Sequence, residues 1–340
     1  MKKKFISVLL TATMIFTLAG CGSTASSNTT ASNPSGTDSS TEASASGKVY
    51  HIGVCQLVEH EALDAATKGF QDKLTEKLGE GNVEFDVQNA QGEETNCATI
   101  CTGFVSDNVD LILANATASL QAASAATNQI PIVGTSITDY ATALNADDWS
   151  GTTGTNITGT SDLAPLDQQE KMIKELVPDV TKVGIVYCSA EANSVFQATQ
   201  IESYLEKDGI AYEEYSAADS NEIQSVVTKA ASECDCLYVP TDNTMAANVD
   251  IIKNITVPAK IPVIAGEEGI CQGALATLSI SYYDIGHAAG EMAYEILVNG
   301  KDPGSMEIEY ASTPTKEYNA DVADALGITV PDDYEKLATE

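Results

Sequence analysis

The feature that most restricts this chain is a pattern that runs once and then starts again. From Val49 onward, short runs of Val, Ile and Leu alternate with segments whose apolar residues recur at helical spacing, and the order restarts at Lys182. The first pass predicts strands over 49–55, 83–87, 110–114 and 130–134, with helices over 62–78, 93–106 and 118–127 between them. The second predicts a helix over 167–176, then strands over 182–187, 211–215, 236–240 and 261–265 separated by helices over 194–207, 221–232 and 246–255. Each pass carries an Ile-Pro-Ile or Ile-Pro-Val strand, at Ile130 and Ile261. Strands apolar on both faces and joined by helices must lie in a parallel sheet covered on both sides. The expected fold is therefore α/β, with two doubly wound parallel-sheet lobes.

Three joins between the lobes are expected, at 156–160, 275–278 and 307–310, and a helix over 285–297 presents Gly286 and Gly290 on one packing face. The lobes then comprise 48–158 with 277–307, and 159–276 with 308–340. Such a three-segment hinge opens a cleft at the carboxyl ends of both sets of strands, where open parallel sheets bind ligands.

Ahead of the lobes, residues 1–20 have the layout of a secretion signal: Lys2-Lys3-Lys4, an apolar run from Phe5 to Leu18, and a small-residue cleavage site. That run is too short to span a bilayer. Its ending, Leu18-Ala19-Gly20-Cys21, resembles the lipobox of bacterial lipoproteins, which implies that Cys21 takes the lipid and becomes the first mature residue. Residues 21–47 are nearly all Ser, Thr, Ala, Asn and Gly and read as a flexible tether. An extracytoplasmic protein, anchored to the bacterial membrane through Cys21, is expected.

Charge narrows the partners. The chain carries −32, and loss of the leader's three lysines takes it to −35, which excludes nucleic acid. All 17 basic residues are lysine, so no guanidinium fork can grip an anion. Phosphate, sulfate and dicarboxylates are disfavoured, whereas an α-carboxylate on a helix N-terminus remains easy. With Cys21 lipidated, seven cysteines remain, an odd number that suits buried small hydrophobes better than disulfides or a metal site.

The loops after the strands hold the candidate ligand groups. The first lobe offers Gln56 and His60, then Asn115, Ala116 and Thr117, then Thr138, Asp139 and Tyr140, with Ser161 and Asp162 just past the first join. The second offers Glu191, Asn193 and Ser194, then Asp242 and Asn243. Thr117 and Asn193-Ser194 open helices, where free N–H groups and the dipole suit a carboxylate. Carboxylates such as Asp139, Asp162 and Asp242 could hold an ammonium, so a zwitterion is the economical ligand.

Catalytic patterns are missing. His60-Glu61-Ala62-Leu63-Asp64 starts like a zinc-protease motif but has Asp64 where the second histidine belongs. Gly134-Thr135-Ser136-Ile137-Thr138 lacks the last glycine of a nucleophile elbow. No phosphate-binding or dinucleotide-binding glycine pattern occurs, and three histidines leave few general bases. Binding without turnover, without cofactor or metal, is expected.

The segments His60-Glu61-Ala62-Leu63-Asp64, Asn89-Ala90-Gln91-Gly92-Glu93, Thr138-Asp139, Asn156 to Asp162, Glu191-Ala192-Asn193-Ser194, Pro240-Thr241-Asp242-Asn243 and Gly273-Ala274-Leu275-Ala276 resemble the substrate-binding lipoproteins of ABC importers in the tryptophan-binding, TrpX-like group. The resemblance spans nearly all of the mature chain. It implies a periplasmic-binding-protein fold of the first type, a monomer that closes on an aromatic or other hydrophobic amino acid and presents it to a permease and its ATPase. Carried over by position, Ala116-Thr117, Thr138-Asp139, Ser161-Asp162, Glu191 to Ser194 and Asp242-Asn243 line the cleft, with Asp242 on the ammonium and Asn193 and Ser194 on the carboxylate. Glu61 and Tyr140 replace prolines of the family pattern at the expected rim, where a tyrosine could stack on an aromatic ligand or close part of the pocket. A ligand sensor of the same fold, or a carrier of nucleosides or another small molecule, is the alternative.

Overall fold

The computed structural model describes residues 47–311 and 314–338, so the leader, Cys21 and nearly all of the tether lie outside the described residues. The first lobe opens with β1 (Tyr50–Gln56), α1 (Glu61–Leu78), β2 (Val83–Asn89), α2 (Glu94–Asp107), β3 (Leu111–Asn115), α3 (Thr117–Ala126), β4 (Ile132–Ile137), α4 (Tyr140–Leu144) and β5 (Ile157–Ser161). The second runs through α5 (Leu166–Leu176), β6 (Lys182–Cys188), α6 (Ala192–Asp208), β7 (Ala211–Ala217), α7 (Ile223–Glu233) and β8 (Cys236–Val239). It continues with α8 (Asn243–Ala246), α9 (Val249–Ala259), β9 (Val263–Ala265), α10 (Glu268–Cys271) and β10 (Ala276–Ser279). Then come α11 (Tyr282–Leu297), β11 (Glu309–Tyr310), β12 (Thr315–Tyr318), α12 (Ala320–Leu326) and β13 (Glu335–Lys336).

One sheet has the order β11-β5-β4-β3-β1-β2, the other β13-β12-β10-β9-β8-β6-β7. Pairing is parallel except where β12 returns antiparallel to β10. Central strands β3, β4 and β8 are buried along their whole length, including the polar Asn115, Thr135 and Ser136 at the ends of the first two. The expected helix over 246–255 is two pieces, because Asp242 starts a single turn at Asn243 before α9 begins.

The chain changes lobes slightly later than expected. β5 stays in the first sheet through Ser161, β10 stays in the second through Ser279, and β11 joins the first at Glu309–Tyr310. Sheet membership thus supports lobe boundaries about three residues beyond 158, 276 and 307, because each crossing strand completes its ladder before leaving.

Helix α11 returns to the first lobe and lies directly on α1. A Cβ on Gly69 would stand 2.1 Å from Tyr283 O, and one on Gly286 2.0 Å from Ala66 O, so the two backbones meet where side chains are absent. Both lobes are filled on each side of their sheets, with Phe70, Leu74 and Leu113 in one core layer and Ile185, Ile201 and Tyr238 in another. The seven cysteines of the lobes are all buried and free. No helix among the described residues is long and apolar enough to cross a membrane.

Candidate ligand cleft between the lobes

The carboxyl ends of β1, β2 and β3 face those of β6, β7 and β8 across a cleft of about 390 Å³, whose walls include Val58, Glu93, Thr117, Ala118, Ala192, Asn193, Asn243 and Thr244. Helices α2, α3, α6 and α8 all point their N-termini at it. Neither α3 nor α6 has a side-chain cap, so their first N–H groups remain available to an anion. Ala116, the residue before α3, has φ 94° and ψ 158°, a backbone region almost reserved for glycine. Ser136, in the irregular stretch where β4 shifts register against β5, has φ 56°. Strain of this kind gathers at binding sites, and both positions lie at strand ends on the cleft side.

Four buried side-chain atoms at this end of the first lobe have no hydrogen-bond partner: His60 Nδ1, Asn115 Oδ1, Ser136 Oγ and Asp162 Oδ1. Leaving such a group unpaired costs on the order of 1–3 kcal/mol, so each is a candidate partner for a ligand at this end of the lobe. Burial raises the Asp162 carboxyl to about 6, with Thr138 and Tyr282 hydroxyls pulling the other way. Burial also lowers the His60 imidazole from its ordinary value.

The remaining expected ligand groups are engaged within the protein. Gln56 donates to Val58 O and Asp64 Oδ1 and accepts from Thr67, which ties β1 to α1. Asp139 caps α4 through Thr142 N at 2.7 Å. Ser161 donates to Thr138 O and accepts from Leu163 N. Glu191 receives Asn193 Nδ2, Asn243 N and Nδ2, and Thr244 N and Oγ1 at 2.7–3.1 Å, and so fastens the start of α8 to the start of α6. Asn193 also donates to Ser194 Oγ and Thr241 O, while its own residue lines the cleft.

Two expectations need correction. Asp242, expected on the ammonium, already accepts Cys188 N at 2.6 Å and Met245 N at 2.8 Å, with the Ser194 hydroxyl alongside. Burial and the nearby Glu191 charge push its carboxyl well up, and both of its oxygens are already taken by backbone N–H groups, so it serves as a structural cap. Tyr140 is not at the rim: it is 2% exposed, stacks on Trp149 with centroids 6.2 Å apart and donates to Thr160 O. Gly134 and Gly159 provide the space its hydroxyl occupies. Glu61, its companion substitution, is exposed on a separate hollow with Glu268, Ser281 and Tyr283. Tyr282 joins the site without having been expected there, and it has no signal before the topology brings α11 back beside β5.

The lobes are closed on each other. His60 Nε2 of the first lobe lies 3.2 Å from Asn243 Oδ1 of the second, and α4 packs against α6.

Residues 51–340 match the family model described as ABC transporter substrate binding protein. The chain is 35% identical over 342 residues to a tyrosine-binding protein of Clostridioides difficile (strain R20291), an alignment covering 99% of this chain and 94% of that one. A crystal structure of an ABC domain in complex with L-Trp from Streptococcus pneumonia is 33% identical, covers 86% of this chain and all of that one, and superposes with a TM-score of 0.81. The ligand-free, open structure of a substrate-binding protein with adhesive properties from Clostridium difficile, 36% identical over a matching share, superposes at 0.65. Near-equal identity with unequal superposition is what lobe closure produces, and it places the present arrangement with the L-Trp complex. Fold, cleft and family agree: the chain belongs to the extracytoplasmic ABC transporter substrate-binding protein family, on the type I periplasmic-binding-protein fold.

Proposed function

We propose that this protein captures an aromatic amino acid as a zwitterion in the inter-lobe cleft and delivers it to an ABC permease and ATPase. The observation that carries the reading is the set of four unpaired buried atoms, three on the first lobe and one where the chain leaves it, three of which can only accept or are held as acceptors, set against uncapped helix N-termini from both lobes. The ligand's carboxylate would rest on the first N–H groups of α3 and α6 with the Thr117 hydroxyl, and its ammonium on Asp162 Oδ1 and Asn115 Oδ1. Binding both lobes at once stabilises the closed arrangement over the open one. Similarity to the tyrosine-binding relative and to the L-Trp complex supports the aromatic class. Cys21, lipidated after removal of 1–20, would hold the cleft at the outer face of the bacterial cell membrane by a tether.

Titration calorimetry with the twenty amino acids, nucleosides and simple sugars tests the ligand: binding confined to aromatic amino acids is expected, and failure of every amino acid to bind would sink the reading. Anchoring is tested separately by palmitate labelling, which Cys21→Ala abolishes if Cys21 is the lipidated residue.

A further inference from the structure

A chain of hydrogen bonds leaves only one proton arrangement for His60. Both oxygens of Glu191 accept backbone N–H groups, Oε2 from Asn243 and Oε1 from Thr244, so the carboxylate acts as acceptor on each side. The atom of the Asn243 amide 2.7 Å from Oε2 must then be its nitrogen, because an oxygen there would oppose an oxygen. Asn243 Oδ1 therefore faces His60, and Nε2 of His60 must carry the proton that bridges 3.2 Å to it. In the neutral ring, Nδ1 is left as a lone pair, buried and without a donor.

The His60 ring touches Asn243, a wall residue of the cleft, whereas Asp162 lies beyond the far strand of the same sheet. His60 follows β1 and Asp162 follows β5, and the sheet order β5-β4-β3-β1 separates those strands by three spacings, roughly 14 Å. One ammonium cannot serve both. A ligand held by its ammonium at Asp162 reaches His60 only with its side chain.

We propose that His60 is a specificity-determining residue whose Nδ1 accepts a hydrogen bond from a donor on the ligand's side chain, a phenolic hydroxyl or an indole N–H. This rests on the aromatic amino acid reading above and narrows it: tyrosine or tryptophan is selected, and phenylalanine, which would bury the lone pair unpaired, is rejected. A site built for a side-chain donor discriminates strongly against the analogue lacking it, because the site's own polar group is then stranded. The lowered basicity of His60, caused by burial, keeps the ring neutral and the lone pair available at pH 7. The Glu191 and Asn243 contacts thus act as positioning groups that set the tautomer from the second lobe, so the acceptor is fixed only when the lobes close.

The test uses two replacements that each keep one end of the ring. His60→Gln places an amide near Nε2 and retains the link to Asn243, whereas His60→Asn places its oxygen near Nδ1 and retains an acceptor for the ligand. Calorimetry of the full chain with L-tyrosine, L-tryptophan and L-phenylalanine is expected to show tyrosine or tryptophan at least tenfold tighter than phenylalanine in the parent protein. That preference should fall to within about threefold in His60→Gln and survive, at weaker overall affinity, in His60→Asn. Nitrogen-15 imidazole spectra of the tyrosine or tryptophan complex should show protonated Nε2 and a hydrogen-bonded, unprotonated Nδ1. Phenylalanine binding the parent as tightly as tyrosine and tryptophan, or His60→Gln keeping the preference, or a proton on Nδ1 in the complex, overturns the proposal while leaving the aromatic reading standing. Absence of any aromatic amino acid binding removes both.

Discussion

The Tyr282 hydroxyl donates to Asp162 Oδ2 at 3.0 Å across 120 residues of sequence, joining the segment that leaves β5 to the segment that returns as α11. Both side chains are buried. One carboxylate oxygen is thus tied to the hinge and the other, Oδ1, is left for the ligand.

Asp162→Asn should therefore separate binding from stability. Burial holds the Asp162 carboxyl at about 6 against 3.8 for an ordinary aspartate, so its ionisation opposes folding. The opposing contribution is absent below pH 3.8 and complete above about 6, worth about 1–3 kcal/mol at neutral pH. The amide should raise the thermal midpoint of the ligand-free protein at pH 7.5 and weaken aromatic amino acid binding at least tenfold. A variant that binds normally would show that the ammonium sits elsewhere.

The same logic applies to the whole protein. Glu267 and Glu317 are also raised to about 7 by burial, so native carboxyls hold protons that the unfolded chain has released. Stability of the ligand-free protein should fall as pH rises from about 4 through 7, which urea midpoints taken across that interval would check. A midpoint that rises steadily over the interval would contradict it.

Glu191→Gln tests the junction of α6 and α8. The amide offers one acceptor oxygen where two oxygens now receive backbone N–H groups, and its NH₂ faces one of them. A loss of about 2–4 kcal/mol in urea unfolding is expected, with binding weakened because Asn243 no longer has a fixed amide to offer His60.

At the α1/α11 contact, Gly286→Ala should be disproportionately harmful for a single methyl. The added carbon would lie 2.0 Å from Ala66 O, a backbone atom that cannot rotate away. We expect a loss of about 1–3 kcal/mol or more by thermal or urea unfolding, where the same change at half-buried Gly103, whose added carbon would meet nothing, is near neutral or stabilising.

Closure itself is measurable. Small-angle scattering of the ligand-free protein should give a larger radius of gyration than the tyrosine- or tryptophan-saturated protein, and Asn243→Ala should shift the saturated form back toward the open value. Identical radii with and without ligand would argue against a ligand-driven closure.

The architecture was legible because strand and helix periodicities are local. The alternation from Val49, its restart at Lys182 and the apolar runs of β3 and β4 required two parallel sheets, and Gly286 with Gly290 marked the face on which α11 would pack. The strand-end loops that line the cleft followed from the same order, as did the helix N-termini at Thr117 and Asn193. What each polar side chain does there was not local. Asp242 and Glu191 read as free carboxylates in sequence, yet Cys188 N reaches Asp242, and Asn243 N and Thr244 N reach Glu191, only in the fold, whereas Asp139 is taken by a local cap to Thr142 N. Tyr140 read as a rim residue because nothing in its neighbourhood announces that Gly134 and Gly159 leave room for its hydroxyl. Conversely, the Tyr282 hydroxyl met Asp162 only when α11 returned beside β5. Periodicity decides which face of an element is buried; which buried polar group is left without a partner depends on atoms dozens to hundreds of residues away, and the tertiary structure alone decides that.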